Sequence, residues 1–314
     1  MLKALVTAAL LLTTPVFGAE WSYTDGAGKS VTLDQPPVRI IAHSSVAAAL
    51  IPYGIIPVGI LRDGPPSLDR SLDGVDVSAI PVVSRGWFEI DAEAVLNLDP
   101  DIIITEYSPI EKTYQGGTGD DAIADRLETI APTIGIERSN SIVDILERYR
   151  SLAATLGADT ETAPLLAERA RFDIAVARLE AATAARPGLT VMALSPGGSS
   201  ISVGIPAYFG ELNDFAHWGV DLVSPEATPG TSYFSLSAEN IGTLKADVLL
   251  LDDRWEASPY DTLTNNPLSA RLPAVAAGQM GDWPAEWIRS YGRYADQIDK
   301  LTDLIKRSRA ALVD

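Results

Sequence analysis

The sequence predicts an α/β protein of two related lobes with largely parallel sheets, joined by one long helix, with a ligand cleft between the lobes. Three observations carry this. A strand–helix–strand rhythm runs through residues 38–61, the segment at residues 90–105 recurs at 236–251, and a stretch rich in Ala, Leu, Glu and Arg lies between the two copies. Strands that alternate with helices pack as a parallel sheet with helices on its faces.

Residues 1–19, MLKALVTAALLLTTPVFGA, read as an export signal. Lys3 supplies the positive end, residues 4–12 the apolar run, and the small residues at 18–19 a cleavage point after Gly18 or Ala19. Pro15 and Gly18 cut the apolar run well short of a membrane span. Residues 21–33 form a hairpin, with Asp25-Gly26 and Gly28 at its turn. After Pro36-Pro37, a β-rich run at 38–42 leads to a helix over 46–53 that Gly54 ends, and residues 57–61 make the next strand.

Residues 90–105 read IDAEAVLNLDPDIIIT and residues 236–251 read LSAENIGTLKADVLLL. Without gaps, Ala92 matches Ala238, Glu93 matches Glu239, Leu98 matches Leu244 and Asp101 matches Asp247. Each copy predicts a short helix capped by Asp91 or Ser237, then a turn, then a buried strand at 102–105 or 248–251. A further strand and helix precede each copy, at 39–42 and 46–53 and again at 190–194 and near 207–218. Two such units in the same order predict two similar lobes.

Between them, apolar residues at 142, 145, 146, 149, 152 and 156 repeat with a helical period, and Gly157 stops the run. Residues 162–185 form a second helix, roughly 35 Å long at 1.5 Å per residue, which Arg186-Pro187-Gly188 ends. It lacks the sustained heptads of a coiled-coil dimer and is read as a rigid connector in a monomer. The chain divides into a signal peptide at 1–19, an N-terminal lobe at 20–160, the connecting helix at 161–187 and a C-terminal lobe at 188–314.

Composition narrows the function. Among 314 residues there are 24 Lys+Arg against 42 Asp+Glu, two His and no Cys. The formal charge of −18 argues against a nucleic-acid or anionic-membrane surface. Without Cys there is no disulfide scaffold, thiolate metal site, thiol catalysis or lipid attachment through Cys, so the exported protein carries no membrane anchor.

Ligands of open α/β sheets bind beyond the carboxyl ends of the strands. Those ends are residues 43–45, 107–108, 195–198 and 253–255, with 85–88 expected to join them. The whole order resembles the substrate-binding proteins of iron–siderophore and cobalamin ABC transporters. WSYTDGAGKSVTLDQPPVRII at 21–41 is similar to their N-terminal hairpin, and IDAEAVLNLDPDIII to their D-x-E-x-x-x-x-L-x-P-D-x-I segment. DRLETIAP at 125–132 resembles L-x-x-I-A-P, residues 235–251 resemble S-x-E-x-x-x-x-L-x-A-D-x-L, and PLSARLPAVAAG at 267–278 resembles L-P-A-V-x-x-G. The resemblance implies two Rossmann-like lobes joined by one long helix, and little closure on binding. It also implies capture of a ferric siderophore and delivery to an ABC transporter permease, while the export signal together with zero Cys points to the periplasm of a Gram-negative cell. Heme or a corrinoid is the alternative cargo.

Binding such a cargo calls for Arg donors and aromatic faces. Arg85, Trp87, Tyr107, Tyr233, Arg254 and Trp255 offer them at predicted cleft positions, and these arginines are expected to supply a local positive field. Arg85 falls near a ligand-contacting Arg of hydroxamate-binding relatives, and Tyr233 or Phe234 near a second-lobe aromatic. The bland alternatives are ion pairs, of Arg85 with Glu89 and of Arg254 with its acidic neighbours, and packing of the tryptophans under loops. His43 falls where metal-binding relatives place a histidine, but ordinary hydrogen bonding is favoured for it and for His217, and neither metal nor cofactor is expected beyond cargo iron. Trp283, Trp287 and Tyr291 are read as a helical stripe used in packing. The resemblance implies one acidic docking residue per lobe. Glu111 is preferred over Glu106, and Asp221 over Glu226. A hydrolase using residues 195–200 is the competing class, yet no G-x-S-x-G elbow, Walker A or G-x-G-x-x-G fingerprint accompanies Ser195, and glycines 116, 117 and 119 are read as a mobile loop. The protein is therefore not expected to be an enzyme.

Overall fold

The computed structural model describes residues 20–312 apart from positions 63, 65–67, 85–88, 120, 198–199, 227–230 and 256. The signal segment, Arg85, Trp87 and part of the 195–200 loop therefore lie outside the described residues.

The N-terminal hairpin is β1 (Trp21–Thr24) with β2 (Ser30–Leu33). The first sheet contains β3 (Ile40–His43), β4 (Gly59–Leu61), β5 (Ile102–Ser108), β6 (Thr113–Tyr114) and β7 (Thr133–Glu137). Its helices are α1 (Ser44–Leu50), α2 (Ala92–Asn97) and α3 (Asp121–Glu128). Then come α4 (Ile142–Thr155) and the long α5 (Ala163–Ala184). The second sheet contains β8 (Thr190–Pro196), β9 (Ser200–Gly204), β10 (Asp221–Leu222), β11 (Tyr233–Ser237), β12 (Val248–Asp252) and β13 (Met280–Trp283). Its helices are α6 (Gly210–His217), α7 (Pro259–Asn265) and α8 (Pro273–Ala276), and α9 (Tyr291–Arg307) closes the chain.

The repeat is a repeat of topology. In the first lobe β3 is flanked by β4 and β5, and β5 by β7, all parallel. In the second, β8 is flanked by β10 and β12, and β12 by β13, again all parallel. The shared aspartates explain part of this. Asp101 Oδ2 accepts from the backbone N–H of Val38 and Arg39, at 2.8 Å each, just before β3. Asp247 Oδ2 accepts from the N–H and hydroxyl of Thr190, the first residue of β8. Each carboxylate thus pins the start of its lobe's first parallel strand to the turn before the third parallel strand.

Alternation along the strands assigns the faces. Ile40, Ala42, Ile102 and Ile104 of one lobe, and Val191, Ala193, Val248 and Leu250 of the other, share one core with α1, α4, α5, α6 and α9. The opposite faces make separate cores, with Ile41 and Ile103 in one and Met192, Leu194, Leu249 and Leu251 in the other. The helix α5 lies along α9, so the connector is packed along its length against the last helix. Among the described residues, no helix is long and apolar enough to cross a membrane.

Three expectations differ from the structure. The second copy of the repeat is a 3-10 helix at Ala238–Thr243, with Gly242 inside it and no side-chain cap from Ser237, whereas Asp91 caps α2 through the N–H groups of Glu93 and Ala94. Trp283, Trp287 and Tyr291 are not one helical stripe: Trp283 ends β13 and Tyr291 opens α9. The glycine-rich loop is packed. Gly116 has φ +68° and lies so close to His43 that a Cβ there would stand 2.3 Å from the imidazole, and Thr118 is buried.

Candidate functional site: an inter-lobe cleft

The carboxyl ends of the parallel strands converge between the lobes on a cavity of about 310 Å³. Residues 108–111, Arg138 and Asn140 line it from the first lobe, and Tyr208, Glu211, Tyr233, Arg254 and Glu286 from the second. A smaller cavity of about 90 Å³ continues it past His43, Asp69, Arg70 and Glu106 and shares Gln115, Arg138, Arg254, Glu286 and Arg289 with it.

Ion pairs that cross between the lobes form the floor. Glu106, on β5, takes a bidentate contact from Arg289, at 2.6 and 2.7 Å, and a hydrogen bond of 2.6 Å from Tyr149. Both charged side chains are almost fully buried, at 4% and 2% exposure. Burial alone would raise the Glu106 carboxyl, but Arg289, and less strongly Arg138 and His43, hold it down at about 2. Arg138, directly after β7, pairs with Glu286. Arg70 pairs with Asp253 at 3.0 Å and packs on the Trp287 ring, as Arg293 also does.

Arg254 stands at the centre of the second-lobe wall. Its guanidinium contacts Asp252 at 2.9 Å and Glu286 at 3.2 Å and donates to the Tyr233 hydroxyl at 3.0 Å. Tyr233 packs on Phe209, and Phe209 meets Trp283 edge-on at 4.8 Å. Trp283 is fully buried and donates its indole N–H to Glu211 at 2.7 Å. The close approach requires Gly204, where a Cβ would stand 2.5 Å from the indole ring.

Of the six candidate ligand residues, Tyr233 and Arg254 are brought together in the cavity. Arg85 and Trp87 fall outside the described residues. Tyr107 turns away: alternation puts residues 102, 104 and 106 on the inter-lobe face, and Tyr107 packs against Tyr114 and Gly135 on the other. Trp255 is 49% exposed and donates to Ser195 at 2.9 Å without lining either cavity. The bland reading of Arg254 is also present, because it does pair with Asp252. Glu106 is removed from the docking surface by its burial, while Glu111 is exposed at the cavity rim. Asp221 is exposed but opens β10 beside Thr190, at the amino ends of the strands, and exposed Glu226 follows on the way to the carboxyl ends.

His43 is buried as the cap of α1, accepting from the Ser45 N–H, and His217 is exposed at the end of α6. Among the described residues, no three His, Cys, Asp or Glu gather as metal ligands. The Ser195 hydroxyl donates to Asp252, which is itself ion-paired with Arg254, and not to a histidine as in a Ser–His–Asp triad.

Sequence reasoning missed Arg138, Arg289 and Glu286, and weighed Glu106 only as a docking residue. Arg138 follows β7 directly, so the strand-end rule finds it once residues 133–137 are read as a strand. Extending the repeat alignment five residues beyond Asp101 and Asp247 reaches Glu106 and Asp252, buried carboxylates that each grip an arginine.

Residues 65–287 match the family described as periplasmic binding protein. No curated protein matches the chain. Among solved structures, DesE of Streptomyces coelicolor, described as a ferric-siderophore receptor protein, is 30% identical with a TM-score of 0.81, over 93% of this chain and 99% of that one. SirA of Staphylococcus aureus complexed with staphyloferrin B is 19% identical with a TM-score of 0.63, over 90% and 98%. PiaA of Streptococcus pneumoniae in complex with ferrichrome is 19% identical with a TM-score of 0.59, over 91% and 97%; these two share the fold. With two parallel-sheet lobes, a long packed connector and a cleft at the strand ends, the chain belongs to the periplasmic binding protein family.

Proposed function

We infer that the protein captures a ferric siderophore in the inter-lobe cleft and hands it to an inner-membrane ABC permease for iron uptake, without catalysing a reaction. The observation that carries this reading is the cavity of about 310 Å³, walled by Arg138, Arg254 and Tyr233. Guanidinium and phenol groups are the donors that the oxygen atoms of a ferric chelate accept from. The similarity to a ferric-siderophore receptor across nearly the whole chain supports it. The export segment at 1–19 and the lack of Cys support a free periplasmic protein of a Gram-negative cell, and a connector helix without sustained heptads supports a monomer. Glu111 and either Asp221 or Glu226 are the proposed contacts to permease arginines.

Native mass spectrometry of the mature protein against ferrichrome, ferric enterobactin, ferric staphyloferrin B, heme and cobalamin tests the reading. One ferric siderophore retained at one per chain is the expected result. Retention of heme or cobalamin alone would overturn it.

A further inference from the structure

The cleft arginines do not present a bare positive field. Arg289 is matched by Glu106, Arg254 by Asp252 and Glu286, and Arg138 by Glu286. Glu286 differs from the other two carboxylates. Glu106 and Asp252 are buried within the lobes, whereas the Glu286 side chain is 31% exposed, lines both cavities and holds one arginine from each lobe. Its backbone sits in the left-handed region, at φ 63°, which a residue with a side chain rarely adopts and which clusters at functional sites. In this conformation its N–H reaches Glu211 Oε1 at 3.3 Å.

Resting on the reading of the cleft as a ferric-siderophore site, we propose that Glu286 is its specificity-determining residue. It occupies Arg138 and Arg254 as an internal anion and so selects ferric complexes of low net charge over polyanionic ones. A polyanionic ligand would have to approach a fixed carboxylate or displace it from two guanidinium groups. A neutral chelate can share the arginine donors while Glu286 keeps the charge balanced. The neighbouring carboxyl groups are consistent with Glu286 carrying the negative charge. Burial would raise Glu286, but Arg138 and Arg254 outweigh it and pull it down. Burial and then Glu286 push Glu211 up to about 7.

The test compares affinities for ferrichrome, which is neutral, and ferric enterobactin, a trianion, by tryptophan fluorescence. The chains compared are the unmodified protein, Glu286→Gln and Glu128→Gln. The last removes one exposed carboxylate, paired with Lys29, that lines neither cavity. The expected result is preference for ferrichrome in the unmodified protein. In Glu286→Gln the affinity ratio should move toward ferric enterobactin by at least about tenfold, while Glu128→Gln moves it less than about twofold. An equal shift in both variants, or none in Glu286→Gln, overturns the proposal while leaving the ferric-siderophore reading intact. Binding of neither complex, in a protein that retains another ferric siderophore, also overturns it if that cargo is a polyanion. Should Glu286→Gln not fold, a preference of the unmodified protein for ferric enterobactin decides against it. Failure of every ferric siderophore to bind overturns both readings.

Discussion

The two lobes repeat one design, and the difference between them lies in what the repeated carboxylate holds. Glu106 and Asp252 occupy the same place on the third parallel strand of their sheets, and both are buried. Glu106 reaches out of its lobe to Arg289, ahead of α9, and so ties the first lobe to the second. Asp252 holds Arg254 from its own strand exit and leaves the rest of that guanidinium facing Tyr233 and Glu286 in the cavity. One position serves as a lock between lobes in the first copy and as the mount for a ligand donor in the second. This fits a binder whose cleft is formed before the ligand arrives.

Truncating the two carboxylates should separate their roles by the largest margin. Glu106→Ala strands a buried arginine and should cost about 3–5 kcal/mol in urea unfolding. Asp252→Ala leaves Arg254, 28% exposed, with Glu286 as a partner, and should cost about 1–3 kcal/mol. Equal costs, or the reverse order, would mean that the lobes are not locked through Glu106.

Ligand affinity should depend on the arginine that Asp252 holds. Removing Arg254 together with Arg85 should weaken siderophore binding by more than about tenfold, at roughly 1.5–3 kcal/mol for each charged hydrogen bond. Titration calorimetry with the retained siderophore checks this, and unchanged affinity would take both arginines out of the site.

Acid sharpens the lock further. Because the Glu106 carboxyl is held at about 2 against 4.5 when free, its contribution is complete above pH 4.5 and is lost as pH falls toward 2. In Glu106→Gln that part of the acid dependence should vanish, as thermal unfolding between pH 5 and 2 would show. An undiminished loss in the variant would place the acid-sensitive group elsewhere.

The smallest effects belong to the strand-pinning aspartates. Asp247 is buried and also accepts from the Leu312 N–H, whereas the Asp101 contacts are exposed. Asp247→Ala should therefore cost about 2 kcal/mol and Asp101→Ala about 1 kcal/mol in the same assay.

The architecture was legible because its signals are local. The period-2 and helical patterns and the repeated Asp101 and Asp247 lead to the observed sheets, α4 and α5. The cleft was half legible. Arg254 follows from the strand-end rule and Tyr233 from the family resemblance, but Tyr107, which the same rule names, does not line the cavity, because one step along a strand reverses the face and the favoured aromatic lay on the wrong parity. Arg138, Glu286 and Arg289 come together only when the lobes pack, and residues far apart in sequence leave no local pattern of such contact. The positive field expected from the arginines was overestimated for the same reason, since Glu286 and Glu106 reach them through tertiary structure.

The most direct test of the central claim is titration of the mature protein with the ferric siderophore panel, following tryptophan fluorescence in the unmodified chain and in Arg254→Ala. Saturable binding of one complex per chain, weakened more than about tenfold by the substitution, is the expected result. Binding of no ferric siderophore, or the same affinity in both proteins, would contradict it.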